Sequence, residues 1–261
     1  PLVWYRVLIA SAALFVVLRM RKVQFHENLA DLIKLAIGGL IVGLHWVTFF
    51  HAIKISTVST TLVTLSSSAF FVVLIKPFFE RKRFQWYELF LALVAIVGFV
   101  IIFKSETLYA EGILIALASA FLVALFAVMN SLFIRKYSGS KIAFYELFFA
   151  MIFLSIVLLG QGAFTSDFFN LSRMDWIYLL VLGLICTAYP FVVATNLLKK
   201  MSPFTIVLTN NLEPVYGIIL ALLIFGDKEM MSTQFYLGAL VILSCVILNG
   251  WIKNVRFKKG T

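Results

Sequence analysis

Charge is scarce in this chain. Only 13% of its 261 residues are Asp, Glu, Lys or Arg, and Asp and Glu together number 12. A soluble domain carries nearer a quarter, and a disordered chain carries fewer apolar residues than this one. Cysteine is scarce too. Cys186 and Cys245 both lie in apolar runs, which excludes a disulfide-framed module and reads as small packing residues. No Pro-rich or Gly/Ser-rich linker sets off a separate soluble domain. There is no G-x-x-x-x-G-K-[ST], so the chain carries no ATPase of its own. It also lacks H-E-x-x-H, C-x-x-C and G-x-S-x-G. His45 and His51 stand six apart, about 240° around a helix, and form no metal pair. No metal and no cofactor are expected.

What is present is apolar length. Hydrophobic residues make up 62% and mean hydropathy is +1.03. A bilayer core needs about 20 apolar residues per helix. Runs of that kind occur at residues 2–18, 33–53, 57–79, 86–103, 112–134, 142–160, 176–198, 203–226 and 234–252. Nothing alternates as a barrel strand would. The fold class is therefore all-α: a polytopic helical membrane protein with nine visible spans. Positive charge follows the first run instead of preceding it, so residues 2–18 read as a span and not a signal peptide. Pro1 stands where an initiator Met would, and the chain is expected to lack its true start.

The net charge of +10 is a topology signal. Seventeen Lys and Arg, from Arg19, Arg21 and Lys22 to Lys258 and Lys259, lie at one set of alternate span ends, against Lys54, Lys104, Arg173 and Lys228 at the other. By the positive-inside rule the first side, with the C-terminus, is cytoplasmic. The basic excess then implies a lipid bilayer and no nucleic-acid partner. Trp86, Tyr87, Trp176, Tyr178 and Trp251 suit the interfacial belt.

Three ordered matches indicate a duplication. Tyr5-Arg6 and the following apolar run match Tyr145-Glu146 at an offset of 140; Leu35–Trp46 matches Leu179–Pro190 at 144; His51–Leu65 matches Asn196–Asn210 at 145. An odd number of spans per copy forces the second to insert upside down, the plan of many secondary transporters. The segments HWVTFFHAIKISTVSTTLVTL at His45–Leu65 and TNNLEPVYGIILALLIFGDKE at Thr209–Glu229 resemble the EamA-like transporters of the drug/metabolite transporter superfamily. The resemblance implies a ten-helix bundle of two inverted five-helix copies, at residues 1–105 (its first helix missing) and 106–261. It also implies movement of small metabolites, often amino acids, across the inner membrane of a bacterium.

Ionisable groups within spans are costly and face a bundle interior or a water-filled cavity. Glu213 leads the candidates. Pro214 frees the Asn210 carbonyl, and the Asn210 and Asn211 amides share that turn, with Gly217 leaving room beside it. Burial of Glu213 would make proton coupling possible. The inverted partner segment offers Thr57, Thr61, Thr64, Ser67 and Ser68, whose hydroxyls serve packing or a ligand equally well. Trp46, Tyr189 and Asn196 are further cavity-lining candidates, and Pro190 frees the Cys186 carbonyl. His45, Asn130 and Glu146 are secondary ones. Arg6 is expected to snorkel, Glu146 to pair with Lys141, and Lys76-Pro77 to anchor at the interface. The function expected is export or import of a small polar solute by alternating access. The alternatives are an intramembrane enzyme using Glu213 and His45, and a non-transporting scaffold. Oligomeric state is not legible.

Overall fold

In lipid no water takes up a free N–H or C=O, so each spanning segment must satisfy its own backbone. Helix is accordingly the only regular structure among the described residues. The computed structural model describes residues 1–25, 27–80, 85–105, 109–210, 213, 220, 223–224 and 232–259. The helices are α1 (Leu2–Met20), α2 (Leu29–Ile55), α3 (Val58–Leu65), α4 (Ser68–Glu80), α5 (Trp86–Ser105), α6 (Ala110–Phe133) and α7 (Gly139–Gly160). After them come the short α8 (Ser166–Phe169), α9 (Arg173–Gly183), a π-helical turn at Leu184–Ala188, α10 (Tyr189–Leu197), α11 (Pro203–Asn210) and α12 (Thr233–Lys259).

Seven stretches among the described residues are long and apolar enough to cross a membrane, against nine runs in the sequence. Two of the seven are composite: Val58–Glu80 joins α3 to α4, and Arg173–Leu197 joins α9 to α10 through the π turn. The run at 86–103 forms α5, whose apolar described part is the shorter Trp86–Ala95. The run at 203–226 opens as α11 and then passes outside the described residues, taking Asn211, Pro214 and Gly217 with it. The class stands: a polytopic helical membrane protein.

The chain gathers into two compact units, Pro1–Trp46 with Met129–Lys200, and Val47–Val128 with Met201–Thr261. Each draws on both halves of the sequence.

In the first unit α1 lies along α7, the two helices that carry the matched Tyr5-Arg6 and Tyr145-Glu146 pairs. Their facing surfaces are small: Ala10, Ala143 and Ala150 are each fully buried. The α2 helix also lies close against α7. A Cβ on Gly39 would sit 2.6 Å from the Glu146 carbonyl oxygen and 2.6 Å from Phe149 Cβ, and one on Gly43 would sit 2.6 Å from Phe153 Cδ1. Gly39 and Gly43 form a G-x-x-x-G pair, the spacing that lets membrane helices touch backbone to backbone. One end of this unit is closed by rings. Trp4, Tyr5, Phe164 and Phe168 pack edge to face or stacked, and Trp4 Nε1 donates to Ser155 Oγ at 2.8 Å. At another end acidic residues hold the basic turn between α6 and α7. Glu27 pairs with Lys141 and accepts from Tyr145 Oη; Asp31 pairs with Lys136 and accepts from Tyr137 Oη at 2.8 Å. The hydrogen bond to Asp31 holds the Lys136 ammonium above the usual lysine range.

Helix α9 begins on a capping box. Ser172 Oγ accepts from Asp175 N at 3.2 Å, and Asp175 Oδ2 accepts from Ser172 N at 2.9 Å. Ser172→Ala is expected to cost about 1 kcal/mol, read as a lowered melting temperature in detergent with no change in helix content below it.

In the second unit α5 packs along α12, where a Cβ on Gly98 would lie 2.8 Å from the Gly238 carbonyl oxygen. The apolar core joins α4, α5, α6 and α11 through Val72, Val73, Ala92, Ala124, Phe204 and Val207. Lys76 does not anchor at an interface as its sequence position suggested. It is buried in α4 and pairs with Glu88 at 3.3 Å, because Glu88 opens α5 directly opposite.

Candidate functional site

The span Arg173–Leu197 is not a continuous α-helix. Pro190 has no N–H to give the Cys186 carbonyl, so the ladder cannot run at i to i−4 through this point. The chain answers with the π turn at Leu184–Ala188, closed by the Tyr189 N–H on the Leu184 carbonyl. Thr187 follows the same wider spacing, its Oγ1 donating to the Leu182 carbonyl at 2.7 Å. Turns of this kind inside helices concentrate at functional sites.

Arg6 reaches this turn from α1. Its Nε donates to Thr187 Oγ1 at 3.1 Å, and its guanidinium carbon stands 5.0 Å from the centre of the Trp46 ring. Gly183 makes the approach possible, since a Cβ there would meet Ile9 Cγ2 at 2.7 Å and the Arg6 carbonyl oxygen at 3.2 Å. Arg6 therefore does not snorkel along α1. It crosses to α2 and to the broken span, because a hydroxyl and an indole face lie within its reach there. Among the described residues it has no carboxylate partner.

A second polar cluster in the same unit joins α6 to α7. Glu146 is fully buried and accepts from Asn130 Nδ2 at 3.1 Å, with Asn130 itself 1% exposed. Among the described residues Glu146 Oε1 and Asn130 Oδ1 have no hydrogen-bond partner. A Cβ on Gly38 would lie 2.6 Å from that Oε1, so the absence of a side chain at Gly38 is what gives the carboxyl its room. The pairing of Glu146 with Lys141 expected from sequence does not form. Lys141, one helical turn toward the start of α7, is taken by Glu27.

The other predicted residues divide by surroundings. Trp46 is buried beneath Arg6, while Tyr189, directly after the π turn, is 69% exposed. Asn196 is half-buried and structurally engaged: its Nδ2 donates to the Val192 carbonyl at 2.9 Å and its Oδ1 accepts from Gly139 N at 3.3 Å. His45 is half-buried on α2. In the second unit Ser67 and Ser68 are buried with Thr57, Thr60, Thr61 and Thr64. Thr64 Oγ1 donates to the Thr60 carbonyl and Ser67 Oγ to the Thr64 carbonyl, both at 2.7 Å, so these hydroxyl protons are spent within their own segment. Asn210 and Glu213 are exposed, and Asn211 lies outside the described residues.

Sequence reasoning missed Thr187 and the partners of Arg6. The proline at 190 was the available signal for a break, but not for which hydroxyl would sit at it. Among the described residues no group of three or more His, Cys, Asp or Glu could hold a metal.

Comparison with known proteins agrees with this architecture. The chain is 24% identical over 254 residues, 95% of its length and 86% of the relative's, to an uncharacterized transporter of Archaeoglobus fulgidus. A crystal structure of a protein 17% identical to it superposes with a TM-score of 0.66, covering 94% of this chain and 85% of that one, a likeness of fold. The EamA-like transporter family matches residues 1–104 and again 110–251. The chain is an integral membrane protein that belongs to the EamA-like transporter family.

Proposed function

We propose that the protein is a secondary transporter that moves small polar metabolites, amino acids among them, across the cytoplasmic membrane by alternating access. In this reading residues 1–105 and 106–261 are two inverted copies of one module, and the C-terminus is cytoplasmic. The observation that carries the reading is the break in the span Arg173–Leu197, met by a cationic side chain and an indole. Discontinuous helices with polar groups at the break are where secondary transporters bind solute. Trp46, Tyr189 and Asn196 border that region of the first unit. Ser67, Ser68, Asn210 and Glu213 are the polar candidates of the second, and Asn211 lies outside the described residues. Glu146 with Asn130, and Glu213, are the in-span carboxyl groups through which a proton gradient would act.

The test is solute entry into proteoliposomes holding the full chain, with a panel of labelled amino acids and an imposed pH gradient. The expected result is saturable entry that the gradient accelerates in the parent and does not accelerate in the double variant Glu146→Gln, Glu213→Gln. Saturable entry with the same gradient response in that variant would remove both carboxyls from the mechanism. No entry of any solute through folded protein would overturn the transport reading.

A further inference from the structure

We infer that Arg6 is the anion-recognising residue of this protein, and that its solute carries a carboxylate; the inference rests on the transport reading. A guanidinium is charged at every working pH and offers five N–H donors in a planar fork. Among the described residues only Nε is engaged, by Thr187 Oγ1 at 3.1 Å. Thr187 is in turn fixed by the Leu182 carbonyl at 2.7 Å, so its oxygen is an acceptor held in place. The guanidinium face lies over Trp46 at 5.0 Å, a cation–π arrangement that orients the plane without using a hydrogen bond. Both Nη groups remain, side by side, on a half-buried side chain.

A cation inside a span normally takes an acidic partner. The described acids of this unit that lie in or beside spans face other partners: Glu27 has Lys141 and Tyr145, Asp31 has Lys136 and Tyr137, Asp175 has Ser172, and Glu146 has Asn130 on one of its oxygens. Arg6 is thus oriented on two sides, with both Nη groups unpaired among the described residues. That pair matches the two oxygens of a carboxylate, or of a phosphate, in parallel N–H···O bonds. The two sources differ in where they come from. A lipid headgroup would draw the side chain along α1 to the membrane surface, whereas Arg6 is turned across to α2 and the π turn. The assignment is therefore a soluble anion presenting two oxygens, and the carboxylate is the one that the transport reading supplies.

The experiment uses the full chain in detergent and in liposomes. Thermal stabilisation is measured with L-leucine, L-phenylalanine, L-serine, acetate and succinate, with the matching amino-acid amides, and with neutral sugars. Each is repeated in Arg6→Lys and Arg6→Gln. Stabilisation is expected with at least one carboxylate and at least tenfold more weakly with its amide. Arg6→Gln should lose that stabilisation, measured against its own solute-free melting temperature, and Arg6→Lys should keep part of it. A panel in which no carboxylate stabilises, or in which Arg6→Gln responds like the parent, overturns the inference. Stabilisation by phosphatidylglycerol over phosphatidylcholine that vanishes in Arg6→Gln, with no solute effect, assigns the site to lipid and overturns it as well. Entry of neutral or cationic solutes that survives in Arg6→Gln overturns the inference but leaves transport standing.

Discussion

Gly39→Ala is expected to destabilise the first unit by about 3 kcal/mol, at the upper end of what overpacking costs. The added Cβ would fall 2.6 Å from the Glu146 carbonyl oxygen, 2.6 Å from Phe149 Cβ and 3.1 Å from Ala150 N. Two of these three atoms are backbone, or lie where a side chain leaves it, and the third is the amide of a helix interior. No rotamer change moves them aside, so α2 must back away from α7 and forfeit dispersion contacts along the whole seam. Gly160→Ala is the control. It ends α7, a Cβ there meets nothing within 4 Å among the described residues, and replacing glycine within a helix gains helix propensity. Melting in detergent should show a large fall for Gly39→Ala and none for Gly160→Ala. Equal melting temperatures would mean that the close approach of α2 to α7 is absent in the protein.

The second large effect lies in the other unit, at Lys76 and Glu88. Both are buried, 9% and 3% exposed, and their pairing distance is 3.3 Å. Removing one member of a buried pair leaves the other charge uncompensated, at about 3–5 kcal/mol, while replacing both by apolar residues is often neutral. Lys76 has no other acidic partner among the described residues. Glu88 also accepts from Tyr87 Oη at 3.3 Å. Glu88→Ala is therefore expected to cost about 3 kcal/mol or more and Lys76→Met less, with the double variant Lys76→Met, Glu88→Leu recovering most of the loss. A double-variant cycle on chemical or thermal unfolding reads the coupling. Additive losses would contradict a buried pair.

The spans were legible because lipid imposes a single requirement, length of apolar helix, and the chain meets it without ambiguity. The helix faces were not. In a soluble protein the polar stripe shows which side of a helix is out, but a membrane helix is apolar all round. Hence rotation about each axis, and with it the partner of each polar side chain, could not be read from Arg6, Lys76 or Glu146. Glu146 took Asn130 where Lys141 was expected, and Arg6 and Lys76 took protein partners where snorkelling and interfacial anchoring were expected. Gly39-x-x-x-Gly43 carried a readable signal for close packing, overshadowed by the more conspicuous polar residues near it. The π turn is a middle case. Pro190 marked the break, but the widening to Leu184–Ala188 and the choice of Thr187 as its polar member come from how α1 packs there. Ser67 was legible as a polar position and not as a donor turned back on its own segment, since the alternatives use the same hydroxyl.

The proposed transport requires the π turn to face an aqueous route and not acyl chains. Cys186 lies in that turn and is exposed, while Cys245 is buried. In a Cys245→Ala background, a membrane-impermeant sulfonated methanethiosulfonate applied to the protein in liposomes should modify Cys186, and a stabilising carboxylate should slow the reaction. Modification by a lipid-soluble maleimide alone, with the charged reagent inert from both faces of the membrane, would contradict the account.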